Sequence, residues 1–217
     1  MKFREIFWET LGYGILYKQR LAQALLLPFM LYIALDMVPD LEMGLLVSTG
    51  MGVLTVIVHT VFAITTHRII LLGPDAVPKW GITKWSKRET FFSLHFVGLT
   101  LIFVPLSFLG FIPVVGWVLA TGLFSWLLGR FSLVFPGIAV DEGVTFKLSW
   151  ELTKNRQKLM VLVVVVFPVF LMFPAFLLKL LPYTLPITSF LSTLATVFTV
   201  IALSASYKHI GREFFTG

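Results

Sequence analysis

The sequence predicts an all-α membrane protein built as one polytopic domain over residues 1–217. It is expected to hold six transmembrane helices, cytoplasmic interfacial helices and a threefold internal repeat of helical hairpins. Three observations predict this. First, 58% of the residues are hydrophobic and only 13% are charged, with mean hydropathy +0.93. A soluble domain carries about 25% charge, so this chain lacks the polar residues to cover a water-facing surface. Second, the charges stand between the apolar runs rather than inside them. Third, Arg20, Arg88 and Arg156 each open an apolar run and are spaced 68 residues apart both times, while Arg68 and Arg130 each close one and precede Pro74 and Pro136 by the same six positions.

The elements follow in order. In "MKFREIFWETLGYGILYKQR", Phe3, Ile6, Phe7, Leu11, Tyr13 and Tyr17 fall on one face at 100° per residue, and Lys2, Arg4, Glu5 and Glu9 fall on the other. Lys18 and Leu16 break the pattern. This is the signature of a helix lying in the membrane interface. Glu5 and Glu9 interrupt the apolar run, so it does not read as a secretory signal. A hydrocarbon core of about 30 Å needs roughly 20 apolar residues per helix. Six runs qualify: 21–38, 43–66 with an extension towards 72, 91–110, 114–135, 159–181 and 184–207. The first is the shortest and carries Asp36 near its end.

Charge fixes the orientation. Lys2, Arg4, Lys18 and Arg20 precede the first run; Arg68, Lys79, Lys84, Lys87 and Arg88 separate the second from the third. Arg130, Lys147, Lys154, Arg156 and Lys158 separate the fourth from the fifth, and Lys208 and Arg212 follow the sixth. The opposite side has Asp36, Asp40 and Glu42, with Lys179 as its basic residue. The positive-inside rule then puts both termini in the cytoplasm and Asp40 and Tyr183 in the periplasm.

The repeat divides the chain at about 1–72, 73–140 and 141–217. Each unit reads as interfacial helix, helix up, short turn, helix down. The tryptophan-containing stretches "KWGITKWSKRET" and "KLSWELTKNRQK" are the second and third entries. Odd-numbered runs are bulky and hold Pro28, Pro105, Pro168 and Pro174. Even-numbered runs hold the small and hydroxyl residues, among them Gly50, Gly52, Gly116, Gly122, Ser192 and Thr196. Small residues let helix backbones approach closely in lipid. The even helices are therefore expected to form an inner bundle about a pseudo-threefold axis, with Gly122→Leu destabilising by overpacking.

Chemistry is sparse. The formal charge is +6 and the pI about 9.7, but the basic residues flank apolar runs, which fits a membrane surface and not nucleic acid. There are no cysteines, which excludes disulfides and thiolate chemistry. Neither HExxH nor a Cys/His cluster is present, so no metal and no cofactor is expected. His59 and His95 fall inside predicted spans and are candidates for an intramembrane polar site; the alternative is a neutral histidine bonded across helices. His59 and His67 are two helical turns apart, too far for one metal. Arg68 and Arg130 fit lipid phosphates, or structural ion pairs with Glu89, Asp141 or Glu151. Asp141 and Glu142 suit the N-terminus of a helix over about 144–155. No convergent catalytic set appears, so an enzyme is not expected. Membrane lipids, anionic ones among them, are the expected partners, and a protein partner or second copy stays open.

"THRIILLGPDAVPKW", "WSKRETFF", "GRFSLVFPGIAVDEGVTFKLSWELTKN" and "ALSASYKH" together resemble a group of uncharacterised proteobacterial six-helix inner-membrane proteins. That group is distantly similar to the membrane domain associated with glycerophosphodiester phosphodiesterases. The resemblance runs from Thr66 onward and implies a bacterial inner membrane without an assigned activity. The phosphodiesterase site belongs to a separate soluble domain, so no catalytic residue carries over. The expected role is a lipid- or partner-binding accessory module, the alternative a small channel or transporter lined by the Ser/Thr-rich even helices with His59 along the path.

Overall fold

The computed structural model describes residues 2–36, 44–181 and 184–216, and all regular structure among them is helical. Helix α1 (Phe3–Leu16) starts where the Lys2 backbone N–H donates to the Glu5 carboxylate at 2.9 Å, a bond that also lowers the Glu5 pKa. It breaks at Tyr17, and α2 (Lys18–Asp36) follows. After α3 (Leu45–Leu72), Gly73 takes φ +102 and Pro74–Ala76 forms one 3₁₀ turn. Then come α4 (Lys87–Ser107), α5 (Val115–Phe131), the short α6 (Val134–Ala139), α7 (Phe146–Thr153), α8 (Gln157–Val161), α9 (Phe167–Leu178) and α10 (Leu185–Thr216).

Five helical segments are long and apolar enough to cross a membrane: Leu46–Leu72, Lys87–Phe111, Val115–Ala139, Gln157–Leu178 and Pro186–Gly211. The first expected span is also a helix, α2. Its polar opening, Lys18, Gln19, Arg20 and Gln23, keeps it outside that set. Between α8 and α9, Leu162–Val166 winds as a π turn directly ahead of Pro168. A proline ring collides with the carbonyl four residues back in a regular helix, and the wider turn relieves that collision. The acidic turn expected at Asp40 and Glu42, and Tyr183, lie outside the described residues.

Helix α10 is the centre of the fold. Its residues 200–207 are buried without a break, the mark of a helix covered on every side. It contributes Leu203 and Tyr207 to a cluster with Leu133, Val134, Ala139 and Val144. It gives Ile201 to a second with Leu21, Ala24, Phe62 and Ile69, and Ala202 and Ala205 to a third with Ile6, Val163 and Phe167. Helix α2 lies along α3 and α10, α1 crosses α10, and α5 packs against α4, α7 and α8.

Two expectations need correction. The even-numbered spans do not all meet along their length. The second and sixth, α3 and α10, pack along each other as far as Val58 and Thr193, but the fourth joins them through α6, which touches α3, α4 and α10 at the end that carries the basic residues. Farther along, α5 faces outward: Gly122 is exposed, and a Cβ placed there meets nothing within 4 Å. The second expected interfacial helix is absent as well. Residues 77–86 form turns and extended chain, while α1 and α7 are helical. Gly81 is the reason: it has φ +67, and a Cβ there would lie 2.0 Å from the Ala24 carbonyl oxygen of α2, so the chain threads between neighbours where a helix has no room.

Candidate functional site

The polar groups of the chain gather at the basic end. There the closing turns of α3 and α6 meet the openings of α2 and α4. Ser86 and Glu89 form a capping box: the Ser86 N–H donates to the Glu89 carboxylate at 2.8 Å, and the Arg88 N–H donates to Ser86 Oγ at 3.2 Å. This fixes Glu89, which is 1% exposed, against the Arg88 guanidinium at 2.7 Å. Asp141 follows α6 with φ +63, a left-handed conformation that Asp tolerates better than most residues. Its Oδ2 accepts from Arg68 at 3.0 Å and Arg88 at 3.3 Å. Arg68 also donates to the carbonyls of Ala76 and Ala139. Arg20 reaches across from α2 to the carbonyls of Pro74, Val77 and Lys79. Tyr207 donates its hydroxyl to Glu142.

Arg130, the counterpart of Arg68 in the repeated spacing, has other surroundings. Its guanidinium lies 5.5 Å from the Trp126 ring centre and 5.1 Å from that of Trp150, a double cation–π contact. Its Nη1 donates to the Trp150 carbonyl at 3.5 Å, and its Nε is buried without a partner. The Arg130 carbonyl is one of those left open where α5 ends. Ser149 and Thr153 of α7 donate to it at 2.8 and 3.2 Å. Helix α7 is thus bolted onto the end of α5. Its own N-cap is Thr145, which accepts from the Leu148 N–H at 3.3 Å. Asp141 and Glu142 are accordingly bridging groups and not caps.

The two candidate histidines stand in separate surroundings. His59 Nδ1 bonds the Thr55 carbonyl of its own helix at 2.9 Å, and its ring meets Tyr32 edge-on at 5.0 Å. It borders a void of about 10 Å³ with Val58, Thr193 and Thr196, at the lower limit for one water molecule. His95 Nδ1 bonds the Phe91 carbonyl at 2.8 Å, and its ring lies 4.9 Å from Phe146. His67, in contrast, is buried, with Nδ1 2.7 Å from Ser204 Oγ. Ser204 donates its proton to the Val200 carbonyl, which leaves His67 Nδ1–H as the donor to Ser204. The pair has nucleophile–base spacing, yet both residues are sealed from substrate, and the serine proton points away from the histidine. Among the described residues no group of three His, Cys, Asp or Glu could hold a metal.

A groove of about 420 Å³ runs between α2 and α10, floored by Phe62 of α3 and by Ile201. Its walls include Leu21, Ala22 and Leu25 on one side and Leu194 and Val197 on the other, with Lys18 at its basic end.

Comparison of the chain with models of known families, with curated proteins and with solved structures finds no match. The resemblance to the six-helix inner-membrane group therefore rests on the sequence stretches that carry it. Sequence reasoning missed the Arg88–Glu89–Asp141 junction as a unit, although Ser86-x-x-Glu89 is a legible capping-box signal. It also missed the groove, for which no local signal exists, since its walls come from residues 14–29, 62 and 190–201.

Proposed function

We propose that this chain is a six-span bacterial inner-membrane protein with both termini in the cytoplasm, and that it acts as a non-enzymatic lipid-binding accessory module. Helix α2 serves as the first span, because it lies along two helices that qualify as spans. The basic end faces the cytoplasm. Arg68 is a structural lock: one carboxylate and two carbonyls already occupy its donors. Arg130 is held by two indoles in the same structural sense.

The observation that carries the reading is where the hydroxyls of α10 point. Ser192, Thr193, Thr196, Thr199, Ser204 and Ser206 each donate to a carbonyl of their own helix, three or four residues back. Back-bonded hydroxyls satisfy themselves locally and line no water path. The groove of about 420 Å³ that Thr193 borders is lined by apolar side chains apart from Lys18 and Thr193, as a lipid site is. The transporter reading needs a polar passage towards the bilayer middle, and the void that His59 borders holds about 10 Å³.

Two measurements test this together. Protein purified from membranes should retain phospholipid in native mass spectrometry, and the same protein in vesicles should leave proton and small-ion gradients intact. Dissipation of either gradient above that of protein-free vesicles, or a wild-type protein free of retained lipid, would overturn it.

A further inference from the structure

The lateral groove has a polar mouth, an apolar length and a closed foot. Lys18 stands at the mouth, exposed and without an ion pair among the described residues. From there the walls run along α2 to Phe29 and, in the opposite direction along α10, from Ile201 to Phe190. Phe29 and Phe190 meet edge-on with ring centres 5.7 Å apart and close the far end. Eleven helical rises, from Lys18 to Phe29, cover about 16 Å, and half of a 30 Å hydrocarbon core is about 15 Å. The groove therefore spans the depth of one leaflet. It is narrow for its length, with about 420 Å³ of free space over those roughly 16 Å. Its volume lies within the range of small-molecule sites, about 300–1,000 Å³.

We infer that this groove binds one anionic phospholipid of the cytoplasmic leaflet, an acyl chain lying between α2 and α10 and the headgroup phosphate at Lys18. This rests on the orientation and the lipid-binding role proposed above, and it adds the place and the ligand class. Charge selects the headgroup: a lone ammonium at the leaflet surface attracts an anionic lipid. Depth and cross-section select the chain. The groove walls are aliphatic and aromatic, and the hydroxyl that reaches them, on Thr193, donates to the Ser189 carbonyl, so the groove offers no partner for a polar ligand below the mouth.

The test is native mass spectrometry of the full-length protein in detergent, titrated with dioleoylphosphatidylglycerol and, separately, dioleoylphosphatidylcholine. Wild type should hold one phosphatidylglycerol more tightly than any later one. Lys18→Gln should still hold a lipid but lose about fivefold of its preference for phosphatidylglycerol, the effect of one basic side chain near an anionic surface. Ala22→Trp and Leu194→Trp fill the groove from opposite walls and should lose the tight lipid whatever its headgroup. If one of these misfolds, judged by gel filtration, the other decides, and Lys18→Gln alters only an exposed side chain. Wild type retaining lipid while the tryptophan variants retain it equally well overturns the groove alone. So does an unchanged headgroup preference in Lys18→Gln. Wild type retaining none overturns the broader reading as well.

Discussion

Gly137 and Gly122 lie on the same apolar segment, Val115–Ala139, and the structure assigns them opposite roles. At Gly137, a Cβ would stand 2.2 Å from Val144 Cγ2, 2.5 Å from Val144 Cβ and 3.1 Å from the Tyr207 hydroxyl. Ordinary van der Waals contact begins near 3.4 Å, so Gly137→Ala forces a separation of more than 1 Å between α6 and the chain at Val144. Val144 is 2% exposed and cannot swing aside. Moving it would also disturb Glu142, which holds Tyr207. Overpacking of this kind costs about 1–3 kcal/mol. Gly122→Ala meets nothing. Both changes gain about the same 1 kcal/mol of helix propensity, so the difference between the two variants isolates the clash. At about 2–4 °C per kcal/mol for a chain of this size, Gly137→Ala should melt about 2–12 °C below Gly122→Ala. A thermal ramp of both proteins in the same detergent, followed by fluorescence or aggregation, reads this directly. Gly137→Ala melting level with or above Gly122→Ala would show that the contact at the basic end is not tight, and the convergence of α3, α6 and α10 would lose its support.

Two further outcomes are expected. Arg88→Gln removes both the partner of the buried Glu89 carboxylate and one of the two arginines on Asp141; it should cost about 1.5–3 kcal/mol, the worth of a hydrogen bond to a charged group. Lys87→Gln, at an exposed neighbour, should cost less than about 1 kcal/mol, and equal losses in the two thermal ramps would discount the junction. In the cysteine-free chain, a cysteine at Lys84 should react with a membrane-impermeant maleimide only after the cells are opened, whereas one at Phe111, which is 83% exposed at the opposite end, should react in intact cells; the reverse pattern would invert the topology.

Much of the architecture is legible in the sequence, because hydropathy and charge are properties of single residues. Runs such as "VLVVVVFPVFLMF" and the one-sided lysines need no knowledge of neighbours. Helix α2 is ambiguous for the same reason: Lys18, Gln19, Arg20 and Gln23 dilute its apolar run, and the proposal that it is a span rests on its packing along α3 and α10. What stays hidden is which helix lies inside. In lipid the covered and uncovered faces are both apolar, so amphipathicity stops distinguishing them. Small residues are a partial marker: they pick out α10, the most covered of the five apolar segments, but mislead along α5. Gly122 faces outward, while the glycines that are needed serve backbone approach: Gly137 beside Val144, and Gly116, where a Cβ would lie 1.8 Å from the Leu109 carbonyl oxygen.

The repeated arginines show how far spacing alone can be trusted. Arg68 and Arg130 share the Arg-x5-Pro pattern, yet one bridges Asp141 and two carbonyls while the other sits between two indoles. Equal spacing did not bring equal neighbours. The entry arginines behave differently. Arg20 opens α2 and binds the turn that follows α3, the exit helix of its own hairpin. Arg88 opens α4 and binds Asp141, in the turn that follows α6, the exit of its own hairpin. Each therefore ties the start of a hairpin to its end, across 54 and 53 residues. A closing turn leaves carbonyls without helical partners, and a guanidinium with five donors is the side chain suited to collect several acceptors at once. At the entries of these two hairpins, 68 residues apart, the same residue type thus meets the same physical need, the fastening of two helices at their basic end.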